Sequence, residues 1–236
     1  MARRVSFGSP HRHFRVTDST NARARELVEA GVPGGTIVTA REQTAGRGRQ
    51  GRTWTGPPGK ALLYSAILRP LDERHLLLPL AVPLAVCEAA EELEPGARCK
   101  IKWPNDVWVE GRKLAGVLIE AKPQDGWAVI GVGLNLAIER GEFPPELRET
   151  ATSLNGTASA EEARQALSSA LDRWVEADHK KVLSTWHERD ALRGREISWD
   201  GGSGVADGVE DSGDLVVVAA GGDRVVLGAG EVHLRL

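Results

Sequence analysis

Cysteine is scarce in this 236-residue chain: Cys87 and Cys99 are the only two. They lack the spacing of metal ligands, and two thiols cannot staple a secreted scaffold, so a reducing, cytoplasmic setting is expected. Charge of one sign is missing as well. The 30 Lys+Arg stand against 33 Asp+Glu, a formal net charge of −3. That balance excludes a surface given over wholly to nucleic acid, although it leaves room for a local basic patch. Long apolar runs are also absent. Leu76–Cys87 is twelve residues long and carries Pro79 and Pro83, whereas about 20 apolar residues span a bilayer. It reads as the start of a buried helix, and no membrane partner is expected. Nor does Met1-Ala-Arg-Arg lead into the apolar stretch of a signal peptide. The six histidines form no His-Glu-x-x-His pattern, and Asn155-Gly-Thr157 fits a glycosylation sequon without a secretory context.

What is present is an ordinary globular composition, 41% hydrophobic and 27% charged, able to bury a core. The elements follow from periodicity and turn residues. His13–Val16 reads as a short strand. Asp18-Ser-Thr-Asn21 caps a helix over Ala22–Ala30 that stops at Gly31. Thr36–Thr39 and Ala61–Leu68 read as strands, the second of them buried, and a helix is expected from about Leu76 to Leu93. Strands follow at Cys99–Trp103, Val107–Val109, Leu114–Glu120 and Trp127–Leu136. Ser159 and Glu162 form a capping box before Leu167, Leu171, Trp174 and Val175 at helical spacing. Val182, Leu183 and Trp186 extend that helix or form a second one. Beyond Gly194 come about five short apolar runs broken by glycines, the pattern of a small β-barrel. One domain boundary is expected, dividing residues 1–191 from 192–236.

Between the strands lies a Gly-Arg loop, Gly46-Arg-Gly-Arg-Gln-Gly51-Arg-Thr-Trp54. It matches the dinucleotide fingerprint G-x-G-x-x-G, but that fingerprint needs a helix opening among its glycines, and Gly56-Pro-Pro-Gly59 forbids one. A P-loop fails because Lys60 is followed by Ala61. What remains is a flexible backbone carrying Arg47, Arg49 and Arg52, whose guanidiniums match carboxylate and phosphate oxygens. Alone, the stretch reads first as a solvated charged loop, and only secondarily as an RNA-binding arginine loop. Lys102-Trp-Pro-Asn-Asp106 puts a point charge at a strand end. Lys113-Leu-Ala-Gly116 enters an apolar strand. In Gly131-Val-Gly-Leu-Asn135, glycines inside a strand mark either a bulge or the close approach of another group.

These pieces occur in one order over about 120 residues: Ser19-Thr-Asn21, Gln43, the Gly-Arg loop, Lys102-Trp-Pro-Asn-Asp106, Lys113-Leu-Ala-Gly116 and Gly131-x-Gly-x-Asn135. The combination resembles the biotin protein ligase family. The resemblance implies an α+β fold: a mixed sheet with helices similar to class II aminoacyl-tRNA synthetases, followed by a small SH3-like β-barrel. It implies activation of biotin with ATP and Mg²⁺ to biotinyl-5′-AMP, then transfer to a lysine of a biotin carboxyl carrier protein domain, typically in acetyl-CoA carboxylase. Lys102 matches the lysine between biotin's carboxylate and the phosphate, and with Arg49 it is expected to be catalytic. Ser19, Thr20, Asn21 and Gln43 match the ureido contacts, and Arg47, Gly48 and Arg49 the loop over the ligand. Arg47, Arg49, Trp54, Lys102 and Asn135 are expected to serve ATP, with Trp54 stacking on adenine. No dedicated metal cage is legible, which suits Mg²⁺ carried by ATP phosphates. Gln50 departs from the pattern, standing where many relatives carry a basic residue. A lipoate-type acyl-protein ligase shares the chemistry but fits the Gly-Arg loop less well, and a nucleic-acid-binding module rests on that loop alone.

The recognisable domain begins within about 15 residues of Met1, so the winged-helix domain of repressor-type relatives is not expected ahead of it. No sequence-specific binding of duplex DNA is therefore expected of this chain. A gel shift of promoter fragments at physiological salt should show only weak, sequence-independent retardation.

Overall fold

The computed structural model describes residues 5–154, 156–228, 230 and 232–234. Met1–Arg4 and the sequon's Asn155 lie outside them. In the first part of the chain the elements run β1 (His11–Phe14), α1 (Thr20–Glu29), β2 (Ile37–Ala40), β3 (Ala61–Leu68), α2 (Leu78–Leu93), β4 (Cys99–Lys102), β5 (Asp106–Val109), β6 (Arg112–Lys122) and β7 (Trp127–Asn135). Then come α3 (Ala160–Trp174), α4 (His179–Arg189), β8 (Glu196–Trp199), β9 (Gly202–Val209), β10 (Leu215–Ala219), β11 (Arg224–Leu227) and β12 (His233–Leu234). None of the described helices is long and apolar enough to cross a membrane.

The first seven strands form one mixed sheet in the order β1-β2-β3-β7-β6-β5-β4, with β1 parallel to β2 and the other pairs antiparallel. β1 pairs over His11–Phe14, earlier than the expected His13–Val16, because its register on β2 starts at His11 opposite Ile37. α2 begins at Leu78 instead of Leu76 because a single helical turn, Glu73–His75, capped by Asp72, precedes it.

Side-chain alternation along the central strands decides where the site lies. On β3, Leu62, Tyr64, Ala66 and Leu68 enter the main core, as do Ala128, Ile130, Val132 and Leu134 on β7. The intervening residues face the other way. α2 covers the first face: eleven of its sixteen residues are buried, as befits a helix enclosed by sheet and helices. α3 packs against it, its N-terminus closed by Ser159, whose Oγ accepts from the Glu162 amide at 3.2 Å while the Glu162 carboxylate accepts from the Ser159 amide at 2.8 Å. On the other face α1 sits over one end of the sheet, with Ala24, Val28, Val38, Ile67, Trp127 and Val129 buried beneath it. At the other end Ala40, Ala61 and Leu63 are buried with Ile138, Phe143 and Ala151, and the face between the two clusters is open.

The last five strands form an antiparallel sheet, β11-β10-β9-β8-β12, with a register shift in β10 between Val216 and Val217. Its inner residues, among them Ile197, Ala206, Leu215 and Val217, join the main core. One hydrogen bond ties this sheet to the strand end at β4: buried Trp103 donates its indole N–H to the Gly213 carbonyl at 3.1 Å.

The α3 cap lies on the far side of the sheet from the open face. Ser159→Ala should lower stability by about 1 kcal/mol, read as a shift of the urea midpoint at unchanged slope, with no effect on ligand binding at the open face.

Candidate functional site

The open face exists because β7 lacks side chains where it would otherwise be covered. Gly131 and Gly133 pair with Ser65 and Leu63 of β3 on one side and with Leu118 and Gly116 of β6 on the other, in unbroken register. The glycines therefore mark a close approach and not a bulge. A Cβ at Gly131 would collide with the Asn21 carboxamide, and one at Gly133 with the Trp54 indole, 2.6 Å from Cζ2. Gly116 lies under the same indole, its Cβ position 3.0 Å from Cζ3.

The N-terminus of α1 stands over Gly131. Ser19 caps the helix, and Ser19, Thr20 and Asn21 are all buried. Gln43 reaches in from the segment after β2: its Oε1 accepts from the Thr20 amide at 2.7 Å and the Thr20 hydroxyl at 3.0 Å. Ser65 Oγ shares its proton between Thr20 Oγ1 at 2.8 Å and Asn21 Oδ1 at 2.6 Å. The result is a compact set of neutral hydrogen-bonding groups at one end of the face.

The Gly-Arg loop forms the adjoining wall, with Gly46 beside Gln43. It is folded back on itself, with Arg47 bridged to Thr53, the Gly48 amide on the Arg52 carbonyl at 2.6 Å and the Trp54 amide on the Gly46 carbonyl at 3.0 Å. The reversal passes through Gln50 at φ 53 and Gly51 at φ 75. A left-handed backbone is ordinary for the glycine and strained for the glutamine.

At the third corner the β4–β5 turn brings in Lys102 and Asp106. Lys102 is half-buried, its Nζ 5.5 Å from the Trp108 ring centroid. Burial lowers its pKa below the ordinary lysine value, Asp106 opposes that, and Lys113 and Arg52 reinforce it. The reading of Lys102 as a strand-end point charge holds, but the charge is partly withdrawn from water. Arg49 is also lowered, first by burial and then by Arg52 beside it. Lys113 pairs with Asp106 at 2.7 Å and lies 5.7 Å from the Trp54 ring centroid. Asn135, buried at the end of β7, donates to the Thr152 carbonyl at 2.9 Å.

These walls enclose a cavity of about 380 Å³. Ser19, Thr20, Asn21 and Gln43 line it together with Arg47, Gly48, Arg49, Trp54, Lys102 and Asn135, so one space gathers the residues expected to bind biotin and ATP. Arg47, Arg49, Arg52, Lys102 and Lys113 supply five cations, and among the described lining residues Asp106 is the single carboxylate. Such a space suits an anion carrying a neutral polar head. Sequence reasoning missed Ser65 and Glu120. Ser65 was readable as a hydroxyl inside an otherwise apolar strand. Glu120, 2.8 Å from Asn21 Nδ2, gave no local signal.

Comparison with known proteins agrees with this geometry. Residues 13–136 match the model of the biotin/lipoate A/B protein ligase family. The biotin–[acetyl-CoA-carboxylase] ligase of Paracoccus denitrificans is 35% identical, over 89% of this chain and 95% of that protein. The bifunctional ligase/repressor BirA of Bacillus subtilis is 40% identical over 61% of this chain, and the aligned part spans 45% of its length. Among solved structures, the biotin protein ligase of Aquifex aeolicus in complex with biotin and ATP superposes with a TM-score of 0.78 at 30% identity, covering 97% of this chain and 99% of that one.

The bare strand gives a direct test. Gly131→Ala should cost about 1–3 kcal/mol by overpacking and push the Asn21 carboxamide off the sheet. Gly96→Ala, where the added methyl meets nothing within 4 Å, serves as the neutral control in the same denaturation series.

Proposed function

Because the chain belongs to the biotin/lipoate A/B protein ligase family, we propose that it joins biotin to protein: ATP-dependent formation of biotinyl-5′-AMP, then transfer to a lysine of a biotin carboxyl carrier protein domain. The observation that carries this reading is the cavity itself, lined by a cluster of neutral hydrogen-bonding groups together with five cations against one carboxylate. Biotin has that form, a ureido head and a carboxylate tail.

In the first step a biotin carboxylate oxygen attacks the α-phosphorus and pyrophosphate leaves. Two anions must meet, so fixed cations lower the barrier. Lys102 holds its ammonium where the two oxygens converge, and Arg47 and Arg49 draw the loop onto ligand and phosphates. Trp54, bedded on Gly116 and Gly133, offers a ring face to the adenine, and Asn135 stands at the same end. In the second step the carrier lysine, as the free amine, attacks the acyl carbon. AMP departs and the amine gives up its extra proton. The residues fit Mg²⁺ bound through ATP, since Asp106 is already shared with Lys113 and no three His, Cys, Asp or Glu groups converge among the described residues. There Mg²⁺ would neutralise phosphate charge.

The same reading extends to the architecture. The seven-stranded sheet and its helices (1–191) act as a catalytic domain of the class II synthetase kind. The five antiparallel strands within 192–236 act as an SH3-like barrel whose β10 bend begins its curvature. The setting is the cytoplasm, where carrier and ATP meet.

The test is biotin-dependent release of pyrophosphate, with lipoate as the rival substrate and a carrier domain as acceptor. Lys102→Met should reduce release by about 10²–10³-fold. Its stability should not fall: a lysine whose pKa is depressed in the fold costs stability while charged, and that cost fades only as pH rises through the depressed pKa. Wild-type-like pyrophosphate release by a folded Lys102→Met variant would remove the assignment.

A further inference from the structure

Both carboxamides at the head of the cavity have a fixed polarity. One end of the Asn21 amide faces the Leu118 carbonyl at 3.3 Å and the Glu120 carboxylate at 2.8 Å. A carbonyl oxygen only accepts, so this end is the NH₂ and both its protons are engaged. The other end, Oδ1, takes the Ser65 hydroxyl at 2.6 Å and keeps one lone pair. Gln43 has the opposite arrangement. Its Oε1 faces the Thr20 amide, which only donates, so the Nε2 end, beside Gly46, retains its donors. The two carboxamides therefore offer one acceptor, Asn21 Oδ1, and one donor group, Gln43 Nε2. That pattern complements a cyclic ureide, which sets N–H beside C=O.

The Leu118 contact is long, so the Asn21 orientation depends chiefly on Glu120. The Glu120 side chain is 28% exposed and lies 3.3 Å from Arg25 and 3.9 Å from Arg47. These guanidiniums hold its charge on the sheet beside Asn21. We propose that Glu120 is a positioning residue: it accepts from Asn21 Nδ2 and so aims Asn21 Oδ1 at a ureido N–H of the substrate. Without it the amide keeps only the long Leu118 contact and the Ser65 hydroxyl, which can donate or accept, and a turned amide opposes donor to donor. The proposal rests on the biotin reading and assigns Glu120 no contact with the reacting atoms.

The experiment is steady-state pyrophosphate release by the full chain with biotin varied at saturating ATP. Glu120→Ala should raise the biotin KM by about 10-fold or more, the scale of one lost charge-assisted hydrogen bond. The kcat, the KM for ATP and the melting temperature should stay close to wild type. Glu120→Gln, which keeps an acceptor for Asn21 Nδ2, should recover most of the biotin KM, a rescue that lost packing would not give. Asn21→Ala should raise the biotin KM similarly, and adding Glu120→Ala to it should raise it little further, because the two act as a unit. If Glu120→Ala does not fold, Glu120→Leu takes its place with the same expectations. An unchanged biotin KM, a fall in kcat equal to the rise in KM, or full additivity with Asn21→Ala overturns the proposal. If wild type releases no pyrophosphate with biotin, the ligase reading fails instead.

Discussion

Two absent side chains in β7 carry the architecture of the site. A sheet strand normally fills both of its faces, and at Gly131 and Gly133 one face is left as bare backbone. Onto it settle two groups from distant parts of the chain, the Asn21 carboxamide at the start of α1 and the Trp54 indole at the end of the Gly-Arg loop. With side chains at those positions, α1 could not cap the cavity at its head and the loop could not roof it at its tail. Glycine weakens a strand interior. Here that cost is offset by the packing of β3 and β6 on both sides of β7 and by the apolar core beneath it.

Polarity is divided along the cavity. Its head is built from amides and hydroxyls that satisfy one another, leaving a small number of directed valences. Away from it, Arg49, Arg52, Lys102 and Lys113 gather around the single carboxylate of Asp106 and are only partly withdrawn from water. The head can discriminate because unpaired buried polar groups are costly. The tail can do work on an anion because its charges are positioned before the anion arrives. The lowered pKa values of Lys102 and Arg49 come first from burial, with the neighbouring cations adding to it.

Much of this was legible in the residues. The buried strand at Ala61–Leu68, the Ser159 capping box, the helix after Asp18-Ser-Thr-Asn21 and the loop character of Gly46–Gly59 all follow from local rules, and the structure has each of them. The grouping of Ser19, Gln43, Arg49, Lys102 and Asn135 in one cavity rested on resemblance, since nothing local joins residues so far apart. What stayed hidden was tertiary. Glu120 acts on Asn21 across 99 positions, and Ser65 was masked by the apolar strand around it. The partial burial of Lys102 depends on Trp108 and on the fold of the turn, which periodicity does not report.

The hydrogen bond from the Trp103 indole to the Gly213 carbonyl has a modular consequence. It bolts the small C-terminal sheet to the residue next to Lys102. The two sheets are therefore not interchangeable parts joined by a linker. A graft that replaced the last strands would leave a buried indole donor without its acceptor, and the disturbance would be felt first at the neighbouring ammonium. Any transplantation of this tail between relatives must carry the β9–β10 turn in its present geometry, whatever sequence the outer strands adopt.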